Sequence, residues 1–196
     1  LSYYSVHSLL KDNTGALWVG TWKGLNYYSP ARKQFYMITP NEFTGLLGMG
    51  KEDDNGNIWF ATEGAGLFCY NPDTQSQQFY PKKSPYKSNY SSNIFKSLFI
   101  KGDSILCATN TGSVYLSRKR KDYRLLFDCE RGDIYTLLND SKGRLWIPTN
   151  SGTGLVLIDK GKQINQFPVD GKNRKFLYVS TLKEVEPDVF ILGTLK

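Results

Sequence analysis

Chemistry on a substrate or a metal needs nucleophiles, bases or ligands in a clustered pattern, and this sequence holds few of them. His7 is the sole histidine, and no Gly-x-Ser-x-Gly nucleophile motif occurs. Cys69, Cys107 and Cys129 form no Cys-x-x-Cys pair, so with one histidine a zinc site is not expected. Either all three are buried, inert thiols, or two of them join in one disulfide and leave the third over. The carboxylate pair Glu52/Asp53 falls at a hairpin turn and Glu184/Glu186 leads into Pro187, so both read as solvated turn charges. Asp53-Asp54-Asn55-Gly56-Asn57 has the look of a calcium loop, but counting back from Gly56 puts Lys51 where the first oxygen ligand belongs. No catalytic residue, metal or cofactor is expected.

Binding chemistry is better represented. Trp22 and Lys23, with Glu63, Asn110, Asn150, Arg131 and Arg174, combine an aromatic face with amides and charges. Such groups suit sugar rings and uronate or sulfate substituents. The net charge of +7 also favours an anionic partner. The basic run Arg118-Lys119-Arg120-Lys121-Asp122-Tyr123-Arg124 reads as a solvated loop, and it lacks the flanking aromatic platform that nucleic-acid binding would want. Nucleic acid is therefore not an expected partner.

The elements that must position these residues come from a repeat. Asp12-Asn13-Thr14-Gly15-Ala16-Leu17-Trp18-Val19-Gly20-Thr21 returns as Asp53-Asp54-Asn55-Gly56-Asn57-Ile58-Trp59-Phe60-Ala61-Thr62 and as Asp140-Ser141-Lys142-Gly143-Arg144-Leu145-Trp146-Ile147-Pro148-Thr149. A third, eroded copy runs through Ile105-Leu106-Cys107-Ala108-Thr109, and a fifth ends on Phe190-Ile191-Leu192-Gly193-Thr194. The shared Thr21, Thr62, Thr109, Thr149 and Thr194 lie roughly 40 to 47 residues apart, the length of a four-stranded propeller blade. The 14% aromatic content and the short apolar or alternating runs argue strands rather than helices. At Asp12 to Gly15, Asp53 to Gly56 and Asp140 to Gly143 the Asp-x-x-Gly is a turn, with the Asp bonding its own downstream backbone and Gly taking positive φ. It joins an inner strand, 6–10 in the first copy, to a second strand, 17–21. Trp18, Trp59 and Trp146 are expected as wedges between adjacent blades, with Leu106 and Ile191 standing in where Trp is missing. A third strand carries Gly-Leu-x-x-Tyr, and Gln34-Phe35-Tyr36 and its equivalents make the fourth.

The expected fold is therefore all-β: four-stranded antiparallel propeller blades, about four and a half of them, forming a partial propeller. The chain reads as one propeller segment over 1–196, with blades at approximately 5–40, 46–84, 94–128 and 133–168 and a half-blade at 176–196. His7 should begin an inner strand facing the channel in a buried structural role. Loops between second and third strands, and those entering the inner strands, should open on one rim and carry the binding residues named above. Trp22 breaks the repeat there, since its slot holds Glu63, Asn110 and Asn150 elsewhere.

The unit, clearest in Gly56-Asn57-Ile58-Trp59-Phe60-Ala61-Thr62 followed by Gly66-Leu67-Phe68-Cys69-Tyr70-Asn71-Pro72, resembles the two-component regulator propeller repeat. That resemblance implies the periplasmic sensor ectodomain of an inner-membrane hybrid histidine kinase of the kind Bacteroides-type bacteria use to detect glycans. It implies an oligosaccharide ligand, acidic ones included, and arrays commonly closing at seven blades. Leu1-Ser2-Tyr3-Tyr4 has neither an initiator Met nor a charged-then-apolar leader, which suits a piece of such a longer protein. Exposed blade edges would favour self-association. The alternative is a propeller scaffold that docks protein partners.

Overall fold

The structure, a computed structural model, describes residues 1–38, 45–80, 94–110, 112–119, 122–128, 134–149, 154–167 and 178–195. The described elements are all strands. The chain divides into two compact units, Leu1–Gly102 and Asp103–Lys196.

The first unit holds two antiparallel meanders. One runs β1 (Val6–Lys11), β2 (Leu17–Thr21), β3 (Gly24–Ser29) and β4 (Gln34–Ile38), paired in that order. The other runs β5 (Leu47–Glu52), β6 (Ile58–Thr62), β7 (Leu67–Tyr70) and β8 (Gln77–Tyr80). Strand β9 (Phe95–Lys101) is the last element of this unit. In the second unit β10 (Ser104–Thr109), β11 (Gly112–Ser117) and β12 (Asp122–Asp128) pair antiparallel. A full four-stranded sheet follows: β13 (Leu138–Asn139), β14 (Leu145–Pro148), β15 (Leu155–Asp159) and β16 (Lys162–Phe167). The hairpin of β17 (Tyr178–Glu186) and β18 (Val189–Leu195) comes last. The architecture expected from the sequence, four-stranded antiparallel blades with a half-blade hairpin, is the one observed.

Burial explains why the middle strands lack polar alternation. Every residue of β6 and of β7 is buried, as expected of central strands packed on both faces. In the first unit Trp18, Leu25 and Leu47 pack with Ile58, Phe60, Phe68 and Tyr70 in one core. Gly20 allows the first two sheets to close up: a Cβ there would lie 2.7 Å from the Leu47 carbonyl oxygen and 2.3 Å from Ser8 Oγ. In the second unit Ile134, Leu145, Ile147, Val156 and Ile158 form a second core.

Trp18 and Trp146 occupy wedge positions between neighbouring sheets, and Trp59 is buried at the same place in its own sheet, packed on Tyr80. Trp18 packs on Tyr27 of its own sheet at 4.8 Å and on Tyr70 of the next at 5.5 Å. Trp146 meets Phe190 of the following hairpin at 4.6 Å. Ile191, the expected stand-in, does not fill a wedge: it is 60% exposed. In this hairpin the next residue inward, Phe190, faces the preceding sheet, so Ile191 on the opposite face of the pleat points away from it.

The Asp-x-x-Gly turn does more than reverse the chain. Asp53 accepts the Asn55 and Asn57 amides at 2.9 and 3.0 Å, and also the Trp59 indole N–H at 2.8 Å. Asp12 holds Trp18 and Asp140 holds Trp146 in the same way, both at 2.8 Å. Gly15, Gly56 and Gly143 take φ of 86°, 75° and 78°, as the turn requires. The two copies lacking Trp also lack the carboxylate: the position six residues earlier is Ile100 or Val185. Burial would push the three Asp carboxyls up, but the convergent donors outweigh it and hold all three below the usual carboxylate range.

Two of the paired carboxylates are committed to neighbouring sheets, not left as solvated turn charges. Glu52 accepts the Asn13 amide from the preceding sheet's turn at 2.8 Å. Glu184 accepts both the Ser141 amide, at 2.6 Å, and the Ser141 hydroxyl, at 2.9 Å. The residue after the turn Asp is the donor in both cases. Arg144 reinforces the second junction, pairing with Asp140 at 2.6 Å and Asp188 at 2.5 Å while lying over the Trp146 ring.

Candidate functional site

The loops between second and third strands are pinned by one recurring bond. The Thr21, Thr62, Thr109 and Thr149 hydroxyls each donate at 2.8 Å to the carbonyl of the Gly at, or immediately before, the start of the next strand: Gly24, Gly66, Gly112 and Gly154. The pin fixes the ends of a loop whatever lies between, so these loops can differ in length and side chain without disturbing the sheet.

In the first loop the intervening residues are Trp22 and Lys23, both exposed, with Trp22 at 46%. The N-terminal segment joins them. Ser2 donates its amide to Asn26 Oδ1 at 2.7 Å, and its hydroxyl lies 2.8 Å from the Thr21 hydroxyl. Those bonds tie the segment to β3 and bring Tyr3 beside Lys23, whose Nζ sits 5.3 Å from the Tyr3 ring centre. Tyr3 and Tyr4 stack at 4.3 Å and their hydroxyls are bonded, which raises the Tyr3 phenol pKa above its ordinary value. Tyr4 is 87% exposed. His7 meets the Trp22 ring edge-on at 5.8 Å and its Nε2 lies 3.0 Å from the Ser5 hydroxyl.

The result is a surface platform in which Tyr4, His7, Trp22 and Lys23 are exposed and Tyr3 is half-buried. Its open aromatic faces can stack on the apolar face of a sugar ring, while the ammonium, imidazole and phenol groups supply polar contacts. His7 departs from the buried structural role expected of it. It is the second residue of β1, the edge strand of the first sheet, and its side chain is exposed.

The other expected binding residues are distributed differently. Glu63 is half-buried and ion-paired with Lys96 at 2.8 Å, and its amide donates to the Leu46 carbonyl, so this side chain serves the packing of β9 against its neighbours. Asn110 is half-buried at the β10–β11 turn of the second unit. Asn150, Arg131 and Arg174 lie outside the described residues. Within the basic run, Arg118 and Lys119 lie in the turn between β11 and β12, where their amides donate to the Asp103 carbonyl and carboxylate. Among the described residues no group of three His, Cys, Asp or Glu side chains could hold a metal ion. Cys107 is fully buried, and burial pushes its thiol pKa up.

Trp22 was marked in the sequence by departure from the repeat, and Lys23 by its place in the same loop. Tyr3, Tyr4 and His7 were not, because the first two precede the repeat and have no counterpart against which to stand out. Adjacent tyrosines at the head of the chain were the one available signal.

The family model described as the two component regulator propeller matches residues 1–23, bearing out the repeat type read from the sequence. No curated protein matches the chain. Among solved structures, the extracellular domain of the hybrid two component system BT4673 from B. thetaiotaomicron is similar with a TM-score of 0.81 and 17% identity, over 98% of this chain and 26% of that one. That of BT3049 from the same organism shows 20% identity over 99% and 33%, with a TM-score of 0.50. Virginiamycin B lyase from Staphylococcus aureus is similar with a TM-score of 0.68 and 15% identity, over 87% and 57%. At these identities the likeness is one of fold, and the chain spans about a quarter of the BT4673 domain.

Proposed function

We propose that this chain is part of the extracytoplasmic sensor of a hybrid two-component regulator and that the Tyr3–Tyr4–His7–Trp22–Lys23 platform receives a glycan. The observation that carries the reading is Trp22. It is a large aromatic held out into solvent by a pinned loop, edge-on to His7 and next to Lys23, whose ammonium reaches Tyr3, stacked on the exposed Tyr4. Nothing in the sheet's packing needs it there. The repeat type and the fold shared with two regulator ectodomains support the sensor role. A binding role is favoured over catalysis because the platform presents ring faces and donors but places no base beside a nucleophile it could activate beyond the single Ser5–His7 contact. The periplasm is the compartment such a sensor would occupy.

Calorimetry against a panel of neutral and acidic oligosaccharides tests this. Replacing Trp22 by Ala should weaken binding by about tenfold, the loss of roughly 1.4 kcal/mol. Glu63→Gln should leave it unchanged. A panel with no binder, or affinity indifferent to Trp22, would refute the platform.

A further inference from the structure

The first unit also contains a concavity, none of whose lining residues belongs to the platform. It is a cleft of about 620 Å³ between the outer strands of the first two sheets, well within the range of small-molecule sites. Trp18 and Tyr70 form its floor, and Tyr27 and Tyr36 form one wall. These rings run as a continuous column, with centres 5.5 Å apart from Tyr70 to Trp18, 4.8 Å from Trp18 to Tyr27 and 6.1 Å from Tyr27 to Tyr36.

Comparison within the chain shows that this cleft is not a property of every blade. In the second sheet the position opposite Leu67 is Tyr80, which lies 5.1 Å from Trp59 and covers it. The corresponding position, opposite Leu25, is Ile38. With the shorter side chain there, Tyr27 rather than the fourth strand packs on Trp18, and Ile38 lines the cleft. The facing pair Tyr27/Tyr36 is likewise peculiar to the first sheet, since Cys69 faces Gln78 at the same register in the second. In the second sheet the fourth strand thus puts a tyrosine on the wedge tryptophan, while in the first it lines a cleft with Tyr36 and Ile38.

The electrostatics give the open groove a sign. Among the described residues lining it, Arg32 is the one charged side chain, and no carboxylate is present. Its Nη1 donates to the Tyr36 hydroxyl at 3.4 Å, a long bond that orients the guanidinium along the tyrosine wall and leaves most of its donors unused. The amides of Gln75 and Gln77 stand on the opposite side. An aromatic column ending in an unneutralised guanidinium fits a ring that carries an acidic group: the ring lies on the tyrosines and the carboxylate meets Arg32.

We infer that the cleft over Trp18, Tyr27 and Tyr36 is a second binding site, for a small ring-bearing carboxylate held by Arg32. Two sources share that chemistry, a sugar acid and an aromatic acid. Ligand-detected NMR and calorimetry on the protein, with glucuronate, benzoate and glucose as probes, separate them. The site predicts binding of glucuronate or benzoate, with the preferred acid naming the source, and little or none of glucose. Arg32→Gln, an exposed substitution that leaves the sheet intact, should weaken the acid about tenfold or more. Ile38→Tyr, which builds the second sheet's filling into the first, should abolish it. Trp22→Ala should change nothing, which keeps this site distinguishable from the platform. Failure of both acids to bind, equal binding of glucose, or affinity untouched by Arg32→Gln would overturn the inference.

Discussion

The bond from the turn carboxylate to the wedge tryptophan can be measured as a coupling energy, most cleanly at Asp53 and Trp59. Both residues are nearly inaccessible, at 4% and 3% exposure. Asp53→Ala removes an acceptor of the Trp59 indole N–H and of the Asn55 and Asn57 amides. Asn55 is exposed and Asn57 half-buried, so their amides can turn to water. The indole N–H cannot, and a buried donor left unpaired costs about 1–3 kcal/mol. Loss of the local turn bonds adds about 1 kcal/mol, by analogy with capping side chains. The expected total is about 2–4 kcal/mol, a large part of the roughly 5–15 kcal/mol by which domains are stable.

Trp59→Phe removes the N–H while keeping a ring in the wedge. Once the donor is gone, the carboxylate matters less, so Asp53→Ala should cost less in the Trp59→Phe background by about 1–3 kcal/mol. Urea unfolding followed by far-ultraviolet circular dichroism gives the four stabilities without relying on tryptophan emission. The same cycle at Asp12 and Trp18 should give a smaller coupling, because that bond is only part-buried. Additivity at Asp53 and Trp59 within about 0.5 kcal/mol would refute the claim that the carboxylate acts through the indole.

Other consequences follow from the same contacts. Since Asp12, Asp53 and Asp140 have folded pKa values below the ordinary 3.8, their contribution is complete above that value and is lost as pH falls through the lower, folded values. The thermal midpoint should therefore hold steady near neutrality and drop below about pH 4, and a midpoint insensitive to acid would contradict the depressed carboxyls. Gly20→Ala should cost about 1–3 kcal/mol by driving a methyl into the Leu47 carbonyl, visible as a lowered unfolding midpoint. Glu184→Ala should cost about 1–2 kcal/mol and raise amide exchange at Ser141, whose N–H it accepts; unchanged exchange would break the proposed link between the sheets. Cys107 should resist iodoacetamide in the folded protein and react only on unfolding, as peptide mass spectrometry can show, since its thiol is buried and held protonated.

Local grammar made the blades legible: Gly at the positive-φ turn positions, apolar runs of strand length, and Thr before each loop all act within a few residues of themselves. The bonds that lock one blade to the next were not legible, because they join residues whose partners only the fold selects. Glu52 and Glu184 look like any charge beside a turn until the preceding sheet's Asn13 and Ser141 are brought to them. The Asp-to-Trp bond lies between these cases. Its spacing recurs at Asp12/Trp18, Asp53/Trp59 and Asp140/Trp146 and disappears from both members together in the copies with Leu106 and Ile191. That joint loss carries information even without a structure, since a buried carboxylate is tolerated where donors converge on it and an aliphatic wedge offers none. The same logic sets structural residues apart from candidates for binding. Positions that change together across the blades maintain the fold, as Asp and Trp do. Positions that change alone, Trp22 in its loop and Ile38 beside Trp18, alter what the surface presents while the pins and clamps around them stay the same. In a repeat protein those solitary departures are where a ligand would have left its mark, and both fall in the first blade.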